Sequence, residues 1–241
     1  MAVSISQVYN SVKDIVNKEQ KGFVTPTAFN SMASLAQIKI FNELMNEFVE
    51  ARKISRQNLE LTNSISFIRR KQEDLSSFIA EIALNGTNGD FIKPSNMVKL
   101  ISVSDNQETD IDGADTDIEV VHDPELYSHI MRSFLSSPTE GYRVAFINGD
   151  SIRVRPAINT VNLRYYRRPG SVLADGTFSN LDPQYSVSVI DGLQVQDANT
   201  RDFMLPSHYA PELVAEICEM IGVRLRDNSV QSFGAQKSAE Q

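Results

Sequence analysis

Residues Gly22–Lys53 read GFVTPTAFNSMASLAQIKIFNELMNEFVEARK, and how this stretch is covered decides how the rest of the chain folds. Thr25 followed by Pro26 is a helix start. The threonine hydroxyl can accept an orphan backbone N–H, and proline costs nothing at the first helical position, where its own N–H would be unpaired. From Phe29 onward apolar residues recur at helical spacing for several turns. The face they make does not stay put. At about 100° per residue, Phe29, Met32, Ala33, Ala36 and Ile40 fall on one side, and Phe41, Leu44, Met45, Phe48 and Val49 on a side rotated by more than about a quarter turn. Such a helix needs two covering surfaces. Both can come from its own core, through a wrap or a kink, or one can come from a neighbouring copy. In the second case Phe41, Met45 and Phe48 are the candidate interface residues.

The chain around this helix has 241 residues, 41% of them apolar, enough for one large domain or two small ones. No run approaches the roughly 20 apolar residues of a membrane span. The start, MAVSISQVYNSVKD, lacks the basic and apolar regions of a secretory signal. A lone cysteine, Cys218, excludes an intramolecular disulfide and lies on an apolar helical face as core filler. A net charge of −8 argues against gross nucleic-acid affinity. These features read as an intracellular protein with no membrane segment.

Working outward, Ile5, Val8, Tyr9, Val12, Ile15 and Val16 form one helical stripe over about Ser6–Lys18, with Ser4 or Ser6 as cap. Leu59–Asn85 carries a weaker helical pattern that includes Leu75, Phe78, Ile79 and Ile82. Asn85–Gly89 is a turn cluster, after which the period changes. Met97–Val103 and Ile118–Val121 read as strands, which makes the acidic Asp105–Glu119 a long hairpin loop. Asp123-Pro124-Glu125 starts a helix with Leu126, Ile130 and Phe134 on one face. Tyr142–Ile147 and Ser151–Arg155 flank the turn Asn148-Gly149-Asp150, and Val161–Arg167 alternates as a third strand. Gly170–Thr200 is loop-like, with a short strand or strand pair inside Tyr185–Val195. Ser207 then caps a helix to about Leu225, and Asp227–Gln241 has too little apolar content to order without a partner. The expected fold class is α+β. It comprises an N-terminal helical bundle with a long helix (1–86), a small central antiparallel β-sheet with one helix (87–200), and a C-terminal helix with an extended tail (201–241).

No enzyme fingerprint emerges. His122, His129 and His208 lack metal-ligand spacing, and no nucleophile elbow, zinc-protease helix, phosphate loop or dinucleotide motif is present. The acidic loop places Asp110, Asp112, Gly113 and Glu119 at EF-hand spacing. Glu108 in the first position, Asp115 where an apolar residue belongs, and strand-like flanks all argue against a calcium loop. No catalytic residue, cofactor site or metal site is therefore expected. Opposite charge is concentrated in Arg143, Arg153, Arg155, Arg164, Arg167 and Arg168, with Arg153 and Arg155 sharing one strand face. Four destinations stay open for them: DNA phosphate, an acidic partner subunit, the Asp110, Asp112 and Asp115 loop of a second copy, or solvent.

Three blocks of the chain, QVYNSVKDIVNKEQKGFVTPTAFNSMASLAQIKIFNEL, SPTEGYRVAFINGDSIRVRPAINTVNLRYYRRP and DFMLPSHYAPELVAEICEMIGVRLRD, together resemble the head-to-tail connector (neck ring) proteins of short-tailed phages of the crAss-like podovirus type. They cover more than half the chain in family order. Two departures stand out: the family's segment after the Thr-Pro pair is more acidic than Thr27-Ala28, and the 170–200 segment has no counterpart. The resemblance implies a virion structural protein, not an enzyme. It would be assembled in the bacterial host cytoplasm as a ring of about twelve copies around the DNA ejection conduit at the portal vertex. The implied partners are the chain itself, the portal protein and adjacent neck or tail ring proteins, with non-specific contact to genomic DNA in the channel. A tail-ring or minor capsid protein is the alternative within the same class.

Overall fold

A computed structural model describes residues 2–18, 24–57, 62–109, 115–169, 182–190 and 193–225. Expectations for Asp110, Asp112 and the tail from Asp227 fall outside these residues. The described chain forms two compact units, one from residues 79–168 and the other from the two flanking parts.

In the flanking unit, α1 (Ile5–Lys18), α2 (Pro26–Gln57), α3 (Thr62–Leu75) and α5 (Ala210–Leu225) pack together, with 3₁₀ turns at Ser76–Phe78 and Ser207–Tyr209. Thr25 caps α2 as expected, its hydroxyl accepting the Ala28 N–H at 3.3 Å. The cap of α1 comes from far away. Asp202 accepts the Ile5 N–H at 2.9 Å, while Val3 and Leu205 share a backbone hydrogen bond of 3.0 Å. Residues 3–5 are thereby stitched to the segment that leads into α5.

The turning face of α2 is covered by two parts of this unit. Phe29 meets Tyr9 of α1 edge-on at 5.0 Å between ring centroids, and Phe41 meets Phe78 at 4.8 Å. Phe29, Met32, Ala33, Ala36, Ile40, Phe41, Leu44, Met45 and Phe48 are all buried. Phe41, Met45 and Phe48 thus have their apolar surface covered within the chain. The same unit holds a two-stranded hairpin, β8 (Val187–Ile190) and β9 (Leu193–Gln196), where a short strand or strand pair was expected. Just before it, the Asn30 amide clasps the Tyr185 peptide, donating to its oxygen at 3.0 Å and accepting from its nitrogen at 2.8 Å.

Residues 79–168 form a seven-stranded mixed sheet in the order β1-β7-β3-β4-β5-β6-β2. Its strands are β1 (Ile79–Asn85), β2 (Asp90–Ile92), β3 (Met97–Thr109), β4 (Asp115–Val121), β5 (Val144–Asn148), β6 (Ser151–Arg155) and β7 (Thr160–Arg167), with α4 (Pro124–Arg132) between β4 and β5. This corrects the expected helical bundle with a small antiparallel sheet: the sheet is large, mixed, and curls into a nearly closed barrel.

Connectivity forces the curl. A flat seven-stranded sheet would hold its edge strands about 29 Å apart at about 4.8 Å per step. Here β1 and β2 lie at opposite ends of the order yet are joined by four residues, which reach at most about 18 Å. The turn is Asn88-Gly89, with φ of 56° and 76°, the pair of positive values that a two-residue hairpin needs. Thr87 and Asp90 exchange backbone hydrogen bonds at 3.2 and 3.1 Å across it. Register shifts in the β3–β7 ladder add the local twist that lets a sheet close.

Two misread segments explain the correction. Ile79–Asn85 was expected to continue a helix because Leu75, Phe78, Ile79 and Ile82 are spaced by three or four. The chain instead turns at Ser76–Phe78, and Ala80, Ile82 and Leu84 face inward at period two, paired with β7. Ala, Glu and Leu carry little strand preference, so the pairing decides. Asp105–Glu119 was expected to be one loop, but β3 and β4 run on into it, with Asp105 opposite Thr116. The one parallel pair, β4–β5, needs a long crossover, and α4 supplies it. Phe91, Val103, Ile152, Val154, Leu163 and Tyr165 fill the interior.

Candidate functional site

The crossover that permits the parallel pair also displays the most exposed large apolar side chains among the described residues. Asp123 caps α4 by accepting the Glu125 N–H at 2.9 Å, with Pro124 opening the first turn. The helix ends at Ser133, whose N–H reaches the His129 and Ile130 carbonyls at 3.0 and 3.2 Å. Ser133 Oγ then accepts the Ser136 N–H at 3.1 Å, closing a tight turn. Inside that turn Phe134 is 98% exposed and Leu135 93% exposed.

The sequence places Leu126, Ile130 and Phe134 on one face of this helix. The anchor is instead Tyr127, stacked on Phe146 of β5 at 4.7 Å, and no residue of α4 is buried. Leu126, Met131 and Tyr142 are exposed as well. Phe134 and Leu135, adjacent in the chain and both almost fully exposed, are the apolar projection that stands out for binding something else.

The arginines point outward from the barrel, as the alternation predicts: Ile152 and Val154 are buried, and Arg153 and Arg155 lie on the other face. Their charge is met nearby. Arg153 Nε lies 2.9 Å from Asp90 Oδ1, and Arg155 Nη2 lies 3.7 Å from the same oxygen. Arg164 pairs with Glu81 at 2.9 Å. Arg143 donates to Asp105, whose carboxylate is 1% exposed, making the most enclosed ion pair of the barrel among those described. Asp90 and Glu81 escaped the sequence reading because they sit on β2 and β1, the two unread strands. The Asn88-Gly89 pair was the signal that could have found them. The Asp115 backbone opens β4. Glu119, the last EF-hand position, accepts the Tyr142 hydroxyl at 2.5 Å on a strand rather than a helix. Among the described residues no group of three or more His, Cys, Asp or Glu is placed to hold a metal ion, and no helix is long and apolar enough to cross a membrane.

Two polar clusters in the helical unit also went unread. The buried Asp74 carboxylate bridges His208 Nε2 at 3.3 Å and the Tyr209 hydroxyl at 3.1 Å. Burial first, then the neighbouring Asp74 charge, raises the Tyr209 pKa, so the phenol stays a donor. The arrangement latches the end of α3 to the turn before α5. Between α2 and α5, Lys39 holds the buried Glu216 with both oxygens at 2.6 Å, and between α3 and α2, Lys71 pairs with Glu47 at 2.6 Å. Burial, reinforced by Glu43, Glu216 and Glu47, raises the Glu212 pKa. Cys218 is buried and its thiol is pushed up to about 11, which removes it as a nucleophile at neutral pH.

The geometry therefore offers an apolar projection at Phe134 and Leu135 and, on the outer face of the sheet, arginines that already face Asp90 and Glu81. Compared with known proteins, the chain matches no family model and no curated protein sequence.

Proposed function

We propose that this chain is a structural virion protein that assembles as a closed ring in the neck of a short-tailed phage, connecting the portal to the tail. The observation that carries the reading is the resemblance of the three sequence blocks, in order, to that connector family. The geometry supports an assembly role through the projection at Phe134 and Leu135, which is too apolar to be left in water without a use. It also favours protein over DNA as the main partner. Arg153, Arg155 and Arg164 already face Asp90 and Glu81, so less of their charge is left for phosphate. The proposed partners are further copies of the chain, the portal protein and an adjacent ring.

Electron microscopy of the purified protein, followed by localisation in the particle, tests the reading. Closed rings of about twelve copies seated beneath the portal are expected. Rings found at another level would move the chain to the tail-ring or minor capsid alternative. A purified chain that forms no symmetric assembly, and is absent from particles, would contradict the proposal.

A further inference from the structure

We infer that Asp74, His208 and Tyr209 form a proton-operated latch, tight in mildly acid solution and loosened when His208 is neutral. All three residues belong to the helical unit. Asp74 sits at the end of α3, and His208 and Tyr209 lie in the 3₁₀ turn that leads into α5. Asp74 is 7% exposed, and a carboxylate so enclosed needs a countercharge or a proton. The Tyr209 hydroxyl donates to one of its oxygens at 3.1 Å. Burial, then the Asp74 charge, raises the phenol pKa, so this donor stays neutral. Lys71, three residues before Asp74 on α3, pairs with Glu47 of α2, and Lys39 of α2 pairs with Glu216 of α5. The other charged groups turned towards Tyr209 are carboxylates, Glu47 of α2 and Glu212 of α5, with Glu43 and Glu216 next to Glu212. Among the described residues, the group placed to neutralise Asp74 is therefore His208, whose Nε2 lies 3.3 Å from Asp74 Oδ1.

Histidine suits this use because it gains and loses its charge between about pH 5 and about pH 8. Protonated, it sets a positive charge against the buried carboxylate. Neutral, it leaves that carboxylate facing a phenol and further carboxylates. The His208 side chain is 58% exposed, so protons reach it without any opening of the unit. Solvent screens a partner this exposed, which keeps the gain to about fivefold in local opening. The segment under control is the turn at Ser76–Phe78, which follows α3 directly and whose Phe78 ring packs on Phe41. Burial raises the pKa of Glu43 and of Glu212 as well. Their contribution is present below the unfolded pKa and is lost as pH rises through the folded pKa. They push in the same direction as His208, and only substitution of the histidine tells the two sources apart.

Hydrogen exchange of the full chain tests the latch, resolved by peptide and expressed as protection so that the intrinsic pH dependence drops out. Between about pH 5.5 and about pH 8, protection of peptides from the end of α3 and from the start of α5 should fall about fivefold, while β7 of the barrel keeps its protection. His208→Gln, made at an exposed side chain, should hold both peptides at the low value at either pH. His208→Arg, which keeps its charge throughout, should hold them at the high value. Wild-type protection that does not change with pH would overturn the inference. A full step surviving in His208→Gln would overturn it in favour of Glu43 and Glu212. Equal losses in β7 would mean general unfolding rather than a latch. His208→Arg behaving like His208→Gln would show that charge opposite Asp74 does not matter, and would sink the inference too.

Discussion

The barrel is built from one uninterrupted run, residues 79–168, whereas the helical unit gathers its elements from both flanks of that run. The barrel's ladders join strands that are mostly distant in sequence, and only its hairpins announce themselves locally. The helical unit reverses this. Its helices are legible one by one, and what holds them together is remote: Asp202 on Ile5, Asn30 on Tyr185, Lys39 on Glu216. The two units also handle buried charge differently. In the barrel Arg143 and Asp105 are enclosed together, while in the helical unit Lys39 reaches Glu216 from a half-exposed position. A buried carboxylate shut in with its cation has little access to water when that cation is lost. One whose partner borders solvent can recruit water when the partner is lost.

The largest effect expected from this contrast is at Arg143. Arg143→Met removes a cation from the enclosed Asp105 carboxylate and should destabilise the barrel by about 3–5 kcal/mol. Lys39→Met should cost less. Hydrogen exchange resolved by peptide is the suitable readout, because a chain of two units has no single unfolding free energy. Protection should fall mainly within residues 79–168 for Arg143→Met, and adding Asp105→Leu should restore most of it. Equal losses from Arg143→Met and Lys39→Met would erase the distinction.

Closure of the barrel is the next target. A Cβ on Gly86 would lie 2.6 Å from the Asp90 carbonyl oxygen and 2.6 Å from the Phe91 ring. Gly86→Ala should therefore cost about 1–3 kcal/mol through overpacking, with exchange quickening first in β1 and β2. An unchanged exchange pattern would mean that the sheet ends are not held together by that turn.

Asp202→Ala probes the stitching of the helical unit. Loss of a helix cap costs about 1 kcal/mol, so faster exchange should appear in the first turn of α1, whose sequence neighbours Ser4 and Ser6 do not replace the aspartate. Unchanged protection there would return the cap to the local serines.

Glu212 should give the smallest change. Burial raises its folded pKa above the ordinary value of 4.5. In the pH window between those two values the folded chain binds more protons than the unfolded chain, so the Glu212 contribution to stability is lost as pH rises through the folded pKa. Glu212→Gln should then stabilise the helical unit at neutral pH by no more than about 1 kcal/mol, and should flatten its pH dependence in that window. Destabilisation at neutral pH would show that the ionised carboxylate is needed.

What could be read in the sequence follows the same division. Thr25-Pro26, Asp123-Pro124 and Asn148-Gly149 act on the few residues beside them, and the helix starts and the hairpin appear where those residues place them. Ile79–Asn85 was misread because a short apolar run fits either period until β7 is beside it. Asn88-Gly89 was taken as a boundary, although the same residues join the sheet's two edges. The turning face of α2 was visible, but the sequence left open who covers it, and Tyr9 and Phe78 answer from either side. The Phe134 projection was hidden for a related reason. Its spacing puts it on one helical face with Leu126 and Ile130, and only the stacking of Tyr127 on Phe146 shows which side of α4 meets the sheet.

The central claim, that this chain exists to assemble with copies of itself, is tested most directly by its absolute mass in solution. Light scattering across a concentration series should show one dominant closed species of about 320 kDa, twelve copies of the 26.9 kDa chain. A species that stays at 26.9 kDa at every concentration would contradict the account.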